Sequence, residues 1–564
     1  MREIDRLTTE RYALPSLMLM EAAANAALSA ISTRFSGKLA GLRSLILCGR
    51  GNNGGDGAAL ARLLCLQGAP VEIVLIGRLS DTKGDARTNF EAAEKLSEAP
   101  CFAPDQGSNA ENVSRLSLQH EGLHFVECSS VGEWEAYLHR GKSREFDVIV
   151  DALFGTGLTR PLKGLHAEAV KFFLNCRQLR EDGGHTQPLV VSLDIPSGLV
   201  ADSAEPCGDA VRADLTVTFT APKLANVQPP ASHLNGQLVV ADIGSPAALL
   251  EESPSRLYFV EAEDARAWLR QTRYTPDSFK NTHGHVLVVA GSRGMTGAAV
   301  LCAEAAMRSG AGLVTVATPD SAAQAVTARV MPEVMTANLP ETKDGAVRFE
   351  ASEKVRQLSG RADVVAVGCG LTSQDETTRR FVRAVVEHRS VTVVIDADGL
   401  NSLAPWPADL RGAAQLPLIL TPHIGEMRRL IGANERDAFR DRVHVVREFA
   451  TAHELILVLK GARTIVAAPD GRVFVNPTGN AGLGTAGSGD TLTGIIAGFI
   501  AQARGALRER ADVLASVLAA VYVAGLAGDI AAAERGMRTM VASDIREHMG
   551  AAVRALDPLG EEPC

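Results

Sequence analysis

The chain reads as an α/β protein of two domains, each a three-layer αβα sandwich. Three observations predict this. Its 564 residues exceed what one ordinary core accommodates. Two series of short, nearly continuous apolar runs have the pattern of parallel strands buried on both faces. Ala- and Leu-rich helical segments separate those runs, giving the βαβ rhythm of an open sheet. In the first series the strands fall at 44–49 (SLILCG), 71–77, 147–153, 189–196, 215–221 and 238–244, with helices such as 57–67 and 167–174 between them. After Gly244 a stretch rich in Ser, Pro and Glu breaks the pattern. Residues 1–244 are therefore taken as the first domain, 245–258 as a linker and 259–554 as the second domain. The second series runs through 285–291, 313–319, 363–370, 391–399, 416–422 and 455–461. Segments 463–469 and 472–477, joined by Asp470 and Gly471, read as a hairpin appended to that sheet.

Composition excludes several classes of function. A net charge of −9, scattered basic residues and 4% aromatics argue against nucleic acid or an anionic membrane as partner. Nine cysteines without a CxxC pair or a Cys/His metal spacing read as reduced thiols of a cytoplasmic protein. Asp5 and Glu10 interrupt the N-terminal stretch where a signal peptide needs an apolar run. No run of about 18 uncharged apolar residues is present, so no membrane span is expected.

The second domain carries NPTGNAGLGTAGSGDTLTGIIAGFIAQ, a glycine-rich loop running into an apolar helix. Amides at a helix start lack acceptors, and the helix dipole adds partial positive charge there. Gly487, Ser488 and Gly489 leave room for phosphoryl oxygens to approach those amides. Asp490 sits beside them as a general base for a phosphoryl acceptor. A plain glycine turn capped by Asp490 is the competing account. Gly479, Gly482 and Gly484 upstream, and the small-residue helix downstream, tip the balance toward a site.

This region resembles the ribokinase-like superfamily. The order of VLVVAGSRGMTGAAVLCAEAAMRSGAGLVTVATP, DVVAVGCGL, VIDADGLN, LTPHIGEMRRL and VLKGART, over roughly residues 280–550, is similar to that of the ADP/ATP-dependent NAD(P)H-hydrate dehydratases. The resemblance implies that Ala298, Gly370, His423 and Asp490 contact a hydrated nicotinamide dinucleotide. It implies that Lys460, Gly461, Ala462, Arg463, Thr464, Gly487, Ser488 and Gly489 hold the adenine nucleotide, with Asp490 as catalytic base. ADP is the expected phosphoryl donor and Mg²⁺ its companion ion. One departure is GCGLTS, in which Thr372 stands where the family more often has a third glycine.

In the first domain LRSLILCGRGNNGGDGAALARLLCLQG is a strand, a glycine-rich loop and a helix. Gly49, Gly51 and Gly54 satisfy the G-x-G-x-x-G dinucleotide fingerprint, and the next strand ends in Arg78, which would suit an NADP enzyme. That fingerprint leaves Asn52, Asn53, Gly54, Gly55 and Asp56 unexplained. A segment so dense in oxygen acceptors suits a hard cation or directed hydrogen bonds to a ligand. Asp151 and Asp194 end two further strands. Parallel strands bring such ends to one edge, where Asn53, Asp151, Asp194 and Ser197 can line one pocket. Taken singly, each acid fits a helix cap or turn equally well.

The set GNNGGDG, DALFGTGLTRPL and LDIPSGL resembles the NAD(P)H-hydrate epimerases over roughly residues 1–244. The resemblance implies a Rossmann-like domain that binds K⁺ through Asn53, Asp151 and Ser197. It implies substrate contacts from Asn52 to Asp56, from Gly155, Thr156, Gly157, Leu158, Thr159, Arg160 and Pro161, and from Asp194 as acid/base. LMEAAANA departs from the family pattern, which usually has Asn or Leu before Ala-Gly, leaving Asn25 as a possible substitute. The polar segment 97–145 has no functional account. Together the resemblances imply repair of NADHX and NADPHX, the C6 hydrates of the reduced cofactors, by epimerisation and dehydration in a homo-oligomer. The alternative is a ribokinase-like small-molecule kinase fused to a nucleotide-binding regulatory domain.

Overall fold

Strands lacking any polar face form the centre of two separate sheets. The computed structural model describes residues 1–98, 122–140, 146–181, 188–433 and 439–557. Most of the polar 97–145 segment lies outside the described residues. The chain divides into two units, Met1–Pro254 and Ser255–Cys564.

Unit 1 holds β1 (Ser44–Cys48), β2 (Val71–Ile76), β3 (Leu123–Cys128), β4 (Val148–Ala152), β5 (Leu189–Leu193), β6 (Leu215–Phe219) and β7 (Gln237–Ala241). They form one parallel sheet in the order β3-β2-β1-β4-β5-β6-β7. Alternation along β1 splits the core in two. Ile46 and Cys48 pack with α2 (Ser16–Arg34) and α3 (Asn52–Leu66), while Leu45 and Leu47 pack with α5 (Val131–Arg140) and α6 (Leu165–Glu181). This is the three-layer arrangement expected. The chain reverses direction across the sheet between β1 and β4, and their carboxyl ends open the crevice where such sheets bind ligands. The unpredicted β3 is an edge strand, LHFVEC, whose middle residues are exposed or half-buried, so it lacks the continuous apolar run.

Unit 2 is a ten-stranded sheet built on β9 (His285–Val289), β10 (Leu313–Pro319), β12 (Val364–Val367), β13 (Thr392–Ile395), β14 (Leu418–Leu420) and β15 (Ile456–Leu459), all parallel. β11 (Met335–Leu339), another strand with mostly exposed or half-buried residues that the sequence pattern misses, lies at one edge. The predicted hairpin is present as β16 (Ile465–Ala467) and β17 (Val473–Val475), with Gly471 at φ 86° in its turn. The span expected to be a linker has structure of its own. A short helix, Ala247–Glu251, buries Leu249, and β8 (Leu257–Phe259) adds a further strand beside β17.

Three apolar helices, α10 (Thr296–Arg308), α17 (Ser488–Leu507) and α18 (Val513–Arg535), share one core cluster. α18 is long and apolar enough to cross a membrane by length and composition, although Asp529 interrupts it, and 61% of its apolar window is buried in unit 2. Small residues let α10 and α17 approach closely. A Cβ placed on Gly494 would lie 2.1 Å from the carbonyl oxygen of Cys302. Replacing Gly494 with alanine therefore forces the two helices apart, at a cost of about 1–3 kcal/mol. Gly461, which has open space around it, serves as the control. Urea unfolding followed through unit 2 is expected to show the loss for Gly494→Ala and a change within about 0.5 kcal/mol for Gly461→Ala.

Candidate active sites

In unit 1 the glycines after β1 are there for close approach. A Cβ on Gly49 would sit 2.0 Å from the Leu153 carbonyl oxygen, and one on Gly54 would sit 1.8 Å from that of Gly49. The loop thus presses against the end of β4. Asn52 to Asp56, expected in the loop, form the first turn of α3 instead. Asn53 is buried, and its Nδ2 lacks a hydrogen-bond partner among the described residues. Asp56 is also buried, and burial pushes its carboxyl well above the ordinary range. Repulsion from Asp194 and Asp5 adds to the shift and Lys223 opposes it.

The carboxylate of Asp151, fully buried at the end of β4, accepts from Ser197 Oγ (2.5 Å), Ser197 N (2.8 Å), Ser192 Oγ (2.8 Å) and Leu153 N (3.3 Å). Burial raises its pKa and these bonds pull it back. Ser197 Oγ in turn accepts from Phe154 N at 2.9 Å. Asp194 follows β5 at φ 66°, a left-handed conformation uncommon outside glycine. Its Oδ1 accepts from Lys223 Nζ at 2.5 Å, and its Oδ2 would lie 2.9 Å from a Cβ on Gly155. Asn53 Oδ1 would lie 3.2 Å from the same point. Gly155 is thus the residue that lets these two side chains converge.

Asn52, Asn53, Asp56, Gly155, Asp194 and Lys223 line a cavity of 570 Å³ that also takes in Arg2, Asp5, Arg50, Thr156, Gly157 and His166. Asp151 and Ser197, expected in the same pocket, are instead buried outside its lining and bonded to each other, and Gly54 and Gly55 also lie outside it. Of the predicted loop, Gly155, Thr156 and Gly157 reach the cavity; Leu158 is buried and Thr159, Arg160 and Pro161 are exposed, all four outside its lining. Asn25 does not reach it. That side chain is exposed and donates to Glu21 O of its own helix (2.8 Å), while Met20 and Ala23 line the cavity. Arg78 is paired with Glu133 (2.8 Å) and Glu127 (3.2 Å), acids that would repel a 2′-phosphate.

In unit 2 the strand ends converge on Asp396, just beyond β13. Its Oδ1 accepts from Lys460 Nζ at 2.6 Å and its Oδ2 from Thr493 Oγ1 at 2.7 Å, joining three elements through one buried carboxylate. Burial pulls the Lys460 ammonium down, but Asp396 and Glu426 outweigh it and hold it above its ordinary value. Gly489 opens α17 against this pair, and a Cβ there would stand 3.1 Å from Lys460 Nζ. Asp490 comes next. Burial raises its carboxyl to about 6, a hydrogen bond with Cys369 opposes the rise, and Asp396 repels it.

Gly487, at φ 86°, caps α17, so the amides of the first helical turn emerge without helical acceptors. Ser488 Oγ turns back to Thr485 O at 2.9 Å. Asn480 and Asp529 anchor the glycine loop: Asn480 Nδ2 donates to Asp529 Oδ1 and Gly479 N to Asp529 Oδ2, both at 2.9 Å. His423 caps α15 (Ile424–Ile431) by accepting from Gly425 N (2.9 Å) and Glu426 N (3.3 Å) at Nδ1. In the neutral ring Nε2 then carries the proton, and the ring is about half exposed. Capping and ligand contact are therefore compatible here.

Gly370 lies at φ 66°, and a Cβ there would crowd Ala298 Cβ at 2.9 Å. Thr372, in place of the glycine, is also left-handed at φ 66° and is held by Asp398 Oδ2 through its amide (3.0 Å). In the loop after β15, Gly461 and Ala462 are exposed and Thr464 is half-buried. Arg463 is half-buried too, and its Nη1 donates to Pro477 O at 2.6 Å. Sequence reasoning missed Asp396, Glu426, Thr493 and Lys223. Position supplied a signal for two of them, since Asp396 directly follows a predicted strand in VIDADG and Lys223 follows another in TAPK.

Comparison with known proteins gives two family matches, described as NAD(P)H-hydrate dehydratase over residues 286–550 and YjeF-related protein N-terminus over residues 16–225. The bifunctional NAD(P)H-hydrate repair enzyme Nnr of Moorella thermoacetica is 39% identical over 559 residues, covering 99% of this chain and 96% of that protein. The protein of the same name from Escherichia coli is 32% identical and covers 89% and 83%. Among solved structures, the ADP/ATP-dependent NAD(P)H-hydrate dehydratase of Bacillus subtilis, co-crystallised with ATP and Mg²⁺, is 30% identical with a TM-score of 0.46. It covers 53% of this chain and 98% of its own.

The raised carboxyl of Asp490 has a consequence for stability. The folded site holds the proton more tightly than the unfolded chain does. The cost of ionisation is therefore absent below about pH 4, grows to about pH 6 and is fully present above. Asp490→Asn is expected to stabilise unit 2 by roughly 1–3 kcal/mol at pH 7, and by nothing measurable near pH 3.5, in denaturant titrations at the two pH values.

Proposed function

The chain belongs to the bifunctional NAD(P)H-hydrate repair enzymes, and from that membership we propose how its two units divide the work. Unit 1 interconverts the R and S epimers of NADHX and NADPHX. Unit 2 dehydrates the S epimer to NADH or NADPH. The observation that carries the second assignment is Asp490, whose carboxyl is raised to about 6 at the start of α17, beside the Lys460–Asp396 pair.

Hydroxide is a poor leaving group at neutral pH, so the C6 hydroxyl is phosphorylated first. Asp490 takes its proton as the oxygen attacks the terminal phosphorus of ADP. The bond between that phosphorus and the bridging oxygen breaks, releasing AMP. The phosphate then leaves C6 with the C–O electron pair, a proton is lost from the ring, and the reduced nicotinamide is restored. Amides at the start of α17, with Gly487 and Gly489 leaving room, stabilise charge on the moving group. The loop Lys460, Gly461, Ala462, Arg463 and Thr464 borders the nucleotide, and Ala298, Gly370 and His423 border the dinucleotide acceptor. Among the described residues no cluster of three or more His, Cys, Asp or Glu forms a metal cage. That fits Mg²⁺ carried chiefly on the nucleotide phosphates, where it neutralises their charge.

In unit 1, Asn53, Asp151 and Ser197 would hold K⁺: their side chains offer oxygen donors of the hard kind the ion takes, and Ser197 is bonded to the fully buried Asp151 carboxylate. The bound ion would supply positive charge that orients the substrate's oxygens. Asn52, Asn53, Gly54, Gly55, Asp56 and the Gly155–Thr156–Gly157 turn border the substrate. Asp194 takes the proton of its C6 hydroxyl as the C6–N1 bond breaks with its electron pair to nitrogen, leaving an aldehyde. After rotation the nitrogen closes on the opposite face of that carbonyl while the proton returns to the oxygen. Thr159, Arg160 and Pro161 complete that loop at the rim. A cytoplasmic homo-oligomer completes the proposal.

The two assignments separate cleanly in one chain. Asp490→Asn is expected to slow dehydration at least ~10²–10³-fold while leaving epimerisation near normal. Asp194→Asn is expected to slow R-to-S conversion while dehydration of pure S epimer stays intact. Each rate is followed on resolved epimers. Near-normal dehydration in Asp490→Asn, or loss of both activities in folded Asp194→Asn, sinks the division of labour.

A further inference from the structure

Lys223 is a buried cation that no motif of either family resemblance singles out. It stands just past β6, its side chain only 4% exposed, and all its polar contacts face one point. Nζ donates to Asp194 Oδ1 (2.5 Å), Phe219 O (2.9 Å) and Thr218 Oγ1 (3.0 Å), which uses the three protons an ammonium carries. Thr218 Oγ1 also lies 3.2 Å from Asp194 Oδ1. One oxygen of Asp194 is thus held from two sides. The other, Oδ2, faces Gly155 and Asn53 on the cavity side.

The surroundings make this hold consequential. Asp5 on α1 (Arg2–Tyr12) and Asp56 on α3 also line the cavity, and both repel a negative charge on Asp194. Without the ammonium three carboxyl groups would face one cavity with no cation between them, a situation that disfavours charge on all three. The backbone of Asp194 is itself held left-handed. Asn226 Nδ2 reaches its carbonyl at 3.3 Å, and Asn226 Oδ1 accepts from Lys223 N at 2.8 Å. Both ends of the ion pair are therefore tied to the segment that begins at Lys223.

We propose that Lys223 is a positioning residue for epimerisation: it clamps Asp194 Oδ1 so that Oδ2 alone is presented to the C6 hydroxyl of the hydrated dinucleotide. This rests on the assignment of Asp194 as acid/base in unit 1. Lys223 also lines the cavity, but its three donors are spent on Asp194, Phe219 and Thr218, so it acts through Asp194, and that predicts a particular dependence between the two side chains.

The test is a double-mutant cycle on the full chain, with R-to-S conversion of resolved NADHX measured for wild type, Lys223→Met, Asp194→Asn and the double variant. Lys223→Met is expected to lower kcat by about 100-fold with KM within about threefold, the pattern of a misaimed group and not of a lost substrate contact. In the Asp194→Asn background, removing Lys223 is expected to change kcat by less than about twofold, because there is no carboxylate left to aim. Lys223→Met within about threefold of wild type overturns the proposal. So does a double variant whose loss is the product of the two single losses. If Lys223→Met fails to fold, Lys223→Arg takes its place in the same cycle; it keeps the charge but cannot match three convergent acceptors, and the same two outcomes decide. Near-normal epimerisation in Asp194→Asn alone overturns the acid/base assignment itself, a result distinguishable from failure of the Lys223 clamp.

Discussion

The bond between Lys460 Nζ and Asp396 Oδ1 organises unit 2. A carboxylate with 1% exposure is tolerable only if its charge and lone pairs are met, and Lys460 and Thr493 meet them from two directions. Asp396 belongs to the end of one strand, Lys460 to another and Thr493 to the first turns of α17. Satisfying that one group therefore fixes where α17 begins relative to the sheet edge. It explains why position 489 is glycine, since a side chain there would press on Lys460. It also sets the electrostatics of Asp490: half-buried, repelled by Asp396 and relieved only in part by Lys460, it has a carboxyl raised to about 6. A carboxyl in that range works as a proton acceptor at cellular pH.

Unit 1 solves a similar problem with different parts. Lys223 and Asp194 make a buried ion pair at the ends of neighbouring strands, and a second carboxyl nearby, Asp56, is pushed upward by burial. Each unit thus sets a carboxylate paired with a lysine beside a second carboxyl whose proton is held more tightly. The two sheets have different strand orders and lengths. The shared feature lies in the chemistry at the strand ends.

The parts of this account legible in the sequence were those governed by burial and by local spacing. Central strands such as β1 and β12 have no polar face to confuse the pattern, and they were read correctly. Edge strands β3 and β11 expose or half-expose most of their residues, and β8 is three residues long inside a Ser- and Pro-rich stretch, so periodicity could not find them. The glycine-rich loops were visible as loops, but the reason for Gly49 and Gly54 is contact with backbone that the sequence does not place beside them. The missed charged residues have the same explanation. Lys460 lies 64 residues from Asp396 and Lys223 lies 29 from Asp194, and only the fold makes each pair a unit. Thr372 marks the opposite case. A departure from a family pattern, noticed in the sequence, turned out to occupy a left-handed position where glycine is the easier residue.

The central claim is that phosphorylation in unit 2 is a step toward elimination, so that the end product is a reduced nicotinamide cofactor and not a phosphorylated metabolite. The most direct measurement incubates the purified chain with mixed NADHX epimers, ADP and Mg²⁺, with ATP as the comparison donor, and follows absorbance of the reduced nicotinamide alongside inorganic phosphate. The account predicts recovery of absorbance matched by equimolar phosphate, continuing past the S fraction as R is converted. Accumulation of a stable phosphorylated product, or no recovery with either nucleotide, would contradict it.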